Sequence, residues 1–263
     1  MEVLSEITED VGNGVTDPVR GLIGDKRIVA KYIENDEGFI SLFNELLGYN
    51  LACYFGIRHP EFGCAVFDEK QTKVKNDKSY KNNSLFSYTV WLKKSLPITS
   101  PNMTLFVDES EITNLLLFDI FIYNTDRNLG NMLVELPSKL FPIDYTHILP
   151  GRCIWTDILK NNDYSIKSII EDMLSSGYYQ YLIENRSIMS RTIEKSGAVF
   201  LEKIKLLKID EIYGKIPREL IGRLDKSHFE LLETYFSYMT ANFDDAIIML
   251  KSKLGKEWSQ CIV

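Results

Sequence analysis

Cysteine and histidine are sparse in this sequence of 263 residues, and their spacing excludes several classes of protein. The four cysteines, Cys53, Cys64, Cys153 and Cys261, include no Cys-x-x-Cys pair, and the three histidines, His59, His147 and His228, do not stand at metal-ligand spacing with them. Free thiols and no structural zinc are expected, each cysteine being a small, partly buried hydrophobe and each histidine a surface or turn residue. A long apolar run is missing as well, since none reaches the roughly 18 to 20 residues that a bilayer-spanning helix needs. The opening residues, Met1-Glu-Val-Leu-Ser-Glu6, are acidic where a secretory leader is basic and then apolar. A soluble cytoplasmic protein without a membrane partner is the expectation. Excess positive charge is absent too: the net charge of −7 argues against nucleic acid as the main partner, because gripping a phosphate backbone takes clustered Lys and Arg.

What is present is an ordinary globular composition, 45% hydrophobic and 25% charged, in a chain long enough to bury a full core. Two apolar-rich runs, Val19–Ile23 and Lys26–Ile33, flank Gly24-Asp25 and predict a β-hairpin; along the alternating stretch Ile28–Ile33, Lys31 is the lone cation. Apolar spacing from Ser41 to Phe55 predicts a helix that carries Glu45 and is closed by Gly56. An extended stretch starts at His59-Pro60, residues 68–84 are polar and aperiodic, and Leu85–Leu92 has strand composition. Phe86, Tyr88 and Trp91 within or next to that strand suit core or hinge packing. Glu109–Tyr123 predicts a largely buried helix, followed by the loop Asn124–Asn131 and by short strands at Met132–Glu135 and Leu140–Ile143. Segments 165–183, 187–208, 217–223 and 226–254 read as helices. The class is therefore α+β, with a small β-rich part over 1–93 and a larger helical part over 94–263.

The chemistry gathers between Asp126 and Asp144. Asp126-Arg-Asn-Leu-Gly-Asn131 places an acid and an amide five positions apart, after a buried helix and before a hairpin that delivers a second acid, Asp144. Phosphoryl transfer uses such a set: one carboxylate orients the acceptor hydroxyl, while an Asn oxygen and another carboxylate hold magnesium on the nucleotide phosphates.

In this order the sequence resembles the HipA-like kinases, toxin-type serine/threonine kinases whose loops are similar to those of phosphatidylinositol kinases. The resemblance is carried by Phe118-Asp-Ile-Phe-Ile-Tyr-Asn-Thr-Asp-Arg-Asn-Leu-Gly-Asn131, by Phe141-Pro-Ile-Asp144, and by Val29-Ala-Lys-Tyr-Ile33 followed by Asn44-Glu-Leu-Leu47. It implies a two-lobed protein-kinase-like fold with ATP in the cleft. Asp126 would then be the catalytic base, Asn131 and Asp144 the ligands of Mg2+, and Lys31 the lysine on the phosphates, with Glu45 its ion-pair partner. The turn Gly12-Asn-Gly14-Val-Thr16 would cover the phosphates, and Thr16 would be a place for autophosphorylation. The acceptor implied is Ser or Thr of a protein, and a separate antitoxin-like or regulatory protein is an implied partner.

Residue by residue, other readings stand beside these. Asp126 also suits a turn cap, Lys31 a solvated strand position and Glu45 an exposed helical one. Arg127 suits either a phosphate contact or a buried ion pair that braces the loop. The turn has only two glycines, and Asp144-Tyr-Thr-His147 stands where protein kinases have Asp-Phe-Gly. A nucleotide-binding interaction module of a toxin–antitoxin or phage-defence system, a small-molecule kinase and an AMP transferase are the competing functions.

Overall fold

A hairpin whose turn is only two residues long organises the N-terminal region. The structure, a computed structural model, describes residues 1–12, 16–98, 107–135, 139–149, 164–175, 179 and 188–256. Strands β1 (Glu2–Val3), β2 (Glu6–Asp10), β3 (Val19–Ile23), β4 (Lys26–Tyr32), β5 (Phe62–Val66), β6 (Lys73–Val74) and β7 (Leu85–Val90) form one sheet in the order β1-β5-β7-β4-β3-β2-β6. Antiparallel β3 and β4 pair from Val19 with Ala30 to Ile23 with Lys26, so Gly24 and Asp25 make the turn, and Gly24 takes the positive φ of 54° that a tight hairpin requires. The sheet has its own apolar layer, in which Leu4, Ile7, Ile28, Ala65 and Phe86 are almost completely buried.

Helix α1 (Gly38–Phe55) follows β4 and joins the sheet to the helices. Every residue from Ser41 to Ala52 is buried, because one side of α1 packs on β7 and another on helices α5 (Ile209–Tyr213) and α6 (Arg218–Ile221). A helix covered all round is sequestered from water, and any polar group on it must find a partner inside. Gly56 ends α1 at φ 75°, its N–H reaching the carbonyls of Ala52 and Cys53.

Helix α2 (Glu109–Phe121) starts on the Asp108 side chain, which accepts from Ser110 N, and runs through the centre of the larger core. It packs on α3 (Ile166–Ser175) and α4 (Ser190–Leu206), and both of these lie against the long α7 (Lys226–Leu254). A second small sheet, in the order β10-β9-β8, comprises β8 (Leu96–Pro97), β9 (Met132–Glu135) and β10 (Lys139–Pro142). The turn between α2 and β9, which contains Asp126, and the segment after β10, which contains Asp144, therefore emerge side by side. This is a mixed α+β fold, a curled sheet followed by a helical region.

Some elements depart from the sequence reading. Strand β2 was not anticipated, since Glu6, Glu9 and Asp10 leave it no apolar alternation and Ile7 is its one buried residue. The polar segment 68–84 contains the two-residue β6, which pairs with β2. Helix α5 was also missed, being a single turn or so without a readable period. The helix expected over 165–183 is seen as α3 and at Tyr179, the rest lying outside the described residues. Trp91 is not core: it is 47% exposed and lies under the Arg20 guanidinium.

Candidate active site

Lys31 sits on β4 among apolar neighbours and is buried, so its ammonium must be met by protein groups. Its Nζ donates to Glu45 Oε2 at 3.0 Å, to Asp144 Oδ1 at 2.8 Å and to Thr146 Oγ1 at 2.6 Å. All three ammonium protons are thereby used. Glu45 reaches it from α1 and also accepts from Tyr145 N and Thr146 Oγ1, so α1 is bonded directly to the Asp144 segment. Asn44 adds a bond from its Nδ2 to the Thr146 carbonyl. Solvated positions for Lys31 and Glu45 are thus ruled out.

The electrostatics of this cluster follow from one cation shared by two carboxylates. Burial alone pushes the Lys31 ammonium down, but the charges of Asp144 and Glu45 outweigh it and hold it above the ordinary lysine range. Burial pushes Asp144 up, yet the Lys31 charge and the hydrogen bonds from Lys31 and Thr146 hold it well below the usual carboxylate range. Burial dominates at Glu45 and raises it. Asp144 also has φ 59°, a left-handed conformation that is strained for a residue with a side chain.

Asp126 lies across from this cluster, 44% exposed at the side chain. Its Oδ2 accepts from Asn131 Nδ2 at 3.1 Å and faces His147 Nδ1 at 3.5 Å, whereas Oδ1 has no hydrogen-bond partner among the described residues. His147 Nε2 is 2.9 Å from each Glu37 oxygen. Both imidazole nitrogens thus face carboxylates, which favours the doubly protonated ring, and hydrogen bonding to Asp126 and then Glu37 raises His147 to about 9 against the loss from burial. The expectation of a bland histidine fails here.

Behind the two loops lies Arg127, fully buried, with Nε and Nη2 on the Asp119 carboxylate and Nη1 on the carbonyls of Asn131 at 2.9 Å and Ile143 at 2.7 Å. The Ile143 N–H in turn donates to Asn131 O. Asp119 also accepts from Tyr179 Oη and Asn124 Nδ2. Arg127 is therefore the brace that fixes Asn131 beside Asp144, and the alternative of a phosphate contact drops out. The Tyr145 ring stacks on Arg127 and packs against α1 at Gly48, where an added Cβ would stand 2.3 Å from Tyr145 Cβ.

The loops suit a magnesium-bound nucleotide on the donors they offer. With Asn131 Nδ2 turned to Asp126, the amide Oδ1 accepts no hydrogen bond from the described residues; Asp144 Oδ2 is likewise unclaimed among them. Among the described residues no three His, Cys, Asp or Glu side chains form a cage for a metal ion. Two hard oxygens without a full cage are what Mg2+ uses when phosphates and water complete its shell.

The glycine turn is placed less completely. Gly12 has φ 80° with open space at its Cβ position, and the Val11 N–H to Pro18 carbonyl bond closes the turn. Gly14 lies outside the described residues. Thr16 is buried and lines a cavity with Tyr32, Asn35 and Tyr80, with no hydrogen bond to Lys31, Asp126 or Asp144. Sequence reasoning overlooked Asp119, Thr146, Glu37 and the role of His147. Asp119 had a legible signal, as the lone charge in the apolar run Leu115–Ile122; Glu37 and His147 had none.

Comparison with known proteins places the fold and the family. No curated protein matches the sequence. Across 96% of this chain and 97% of the other, the fold is similar to the crystal structure of a Helicobacter pylori proinflammatory kinase, CtkA, with a TM-score of 0.61 at 13% identity. The profile of the HipA-like kinases matches residues 4–146, over half of the chain, from the β1–β2 connection through the Asp144 segment. The chain belongs to the HipA-like kinase family.

Proposed function

We propose that the protein is an ATP- and Mg2+-dependent kinase that transfers the γ-phosphoryl group to a hydroxyl, the acceptor being Ser or Thr of a protein. The observation that carries this reading is the position of Lys31 Nζ, 3.0 Å from Glu45 and 2.8 Å from Asp144, beside the loop that holds Asp126 and Asn131. A lysine on the phosphates, its helical glutamate and a metal-binding aspartate must come together for this reaction.

In this scheme Asn131 and Asp144 would hold Mg2+, which would offset the charge of the phosphates. Lys31 adds a second positive charge at the phosphates, and Glu45 keeps it aimed there. Backbone amides of the turn holding Gly12 and Gly14 cover the phosphates, with Thr16 at the end of that turn. Asp126 Oδ1, without a hydrogen-bond partner among the described residues, accepts the hydrogen bond of the acceptor hydroxyl and orients its oxygen. Catalysis on this plan is positioning and charge stabilisation, with little covalent work for the protein.

Purified wild type, Asp126→Ala and Asp144→Ala are incubated with γ-labelled or α-labelled ATP, Mg2+ and a cell lysate. Transfer of γ label by wild type and by neither variant supports the kinase. Transfer of α label points to AMP transfer, and ATP binding without any transfer points to a nucleotide-binding module.

A further inference from the structure

His147 is tied at both ring nitrogens, and each tie leads somewhere different. Nδ1 stands 3.5 Å from Oδ2 of Asp126, the oxygen that also accepts from Asn131 Nδ2, so both groups act on one oxygen of the carboxylate, and among the described residues Oδ1 has no hydrogen-bond partner. Nε2 is held between the two oxygens of Glu37, whose side chain is only 10% exposed. Glu37 immediately precedes α1, the helix that carries Glu45 and hence Lys31. The Asp126 loop and the start of α1 are therefore joined through one imidazole, separately from the Lys31–Glu45 bond. A carboxylate on an exposed turn has free rotation about its χ angles unless something fixes it; Asn131 donates one hydrogen bond to it, and the His147 ring adds a charged contact at 3.5 Å.

Building on the kinase reading above, we propose that His147 is a positioning residue for Asp126, aimed by Glu37, which fixes the Asp126 carboxylate so that Oδ1 meets the acceptor hydroxyl. His147 itself touches no reacting atom. Its loss leaves Lys31, Glu45 and Asp144 in place and frees Asp126 to rotate, so it acts on turnover and not on nucleotide affinity.

The test compares wild type, His147→Ala, His147→Asn, Glu37→Gln and the His147→Ala/Glu37→Gln double variant, each first shown folded by a thermal melt. Transfer is followed with γ-labelled ATP, Mg2+ and casein as acceptor. His147→Ala is expected to lower kcat roughly 10- to 100-fold, the range for a misplaced catalytic group, with KM for ATP within about twofold of wild type. His147→Asn, whose amide N–H can take the place of Nδ1–H, recovers part of that loss. Glu37→Gln gives an intermediate loss by itself and none in the His147→Ala background, because Glu37 acts through His147. An unchanged kcat in His147→Ala, a change confined to KM for ATP, or additive losses in the double variant would overturn the proposal. If wild type transfers no label to any acceptor, the kinase reading fails separately, and nitrogen NMR of the imidazole then decides the bridge. Both ring nitrogens protonated at about pH 7.5 in wild type, with one proton lost in Glu37→Gln and in Asp126→Asn, supports it; a neutral ring in wild type overturns it.

Discussion

Arg127 and Asp119 form a two-pronged ion pair that water does not reach, with Nε 2.9 Å from Oδ2, Nη2 3.1 Å from Oδ1 and neither side chain exposed. The remaining guanidinium nitrogen holds the carbonyls of Asn131 and Ile143. A charge that would be costly in the core is thereby used to set two loops in register, and the pair matters more for where it holds the backbone than for net stability.

Removing one partner should be costly. Arg127→Ala or Asp119→Ala leaves an uncompensated buried charge and is expected to lower unfolding free energy by about 3 to 5 kcal/mol. Tyr179→Phe removes one of several donors to Asp119 and should cost about 1 kcal/mol. Urea unfolding measures all three; a loss below about 1 kcal/mol for Asp119→Ala would contradict the brace.

Gly48→Ala should destabilise by roughly 1 to 3 kcal/mol, since the added carbon overlaps the Tyr145 side chain and the ring has to move. Because Tyr145 adjoins Asp144, transfer activity should fall further than stability accounts for. Activity measured well below the melting temperature separates the two effects, and a variant as active as wild type there would show that the Tyr145 seat is dispensable.

The His147 bridge makes a pH prediction whose sign is set by a raised pKa. Protons are bound more tightly in the folded state, from an ordinary value near 6.5 to about 9, so the stabilisation is complete below 6.5 and disappears as pH climbs through 9. In EDTA, wild type should exceed His147→Gln in stability by on the order of 2 kcal/mol at acid-neutral pH, and the gap should close by about pH 10. A gap that widens with pH would mean that the ring is neutral in the fold.

Nucleotide should stabilise the protein in a metal-dependent way. ATP with Mg2+ at about 100 times its Kd adds about 2.7 kcal/mol, seen as a rise in Tm. Asp144→Asn and Asn131→Ala should lose most of the Mg2+-dependent part, whereas Lys31→Met should weaken binding with or without the metal. Equal Tm shifts in all variants would move the nucleotide away from these residues.

Local sequence carried much of the fold. The β3–β4 hairpin, α1 with its Gly56 end, β7, α2, the β9–β10 hairpin and α7 all announced themselves, because each combines a clear apolar period with turn or cap residues at its ends. Strand β2 and helix α5 did not. The first is stabilised by hydrogen bonding to β3 and β6 and has few buried side chains; the second is too short to show a period.

The order of the acid and amide residues proposed for the site can be read along the chain. Asp126, Asn131 and Asp144 were legible because a loop, a hairpin and their chemistry lie within one short stretch. It took the packed fold to bring Lys31 and Glu45 to Asp144, to set Arg127 as a brace on Asp119, and to place His147 between Asp126 and Glu37. Those partners lie far apart in the chain or on different elements, and the pairing of a buried charge depends on what packs around it, which no local pattern encodes.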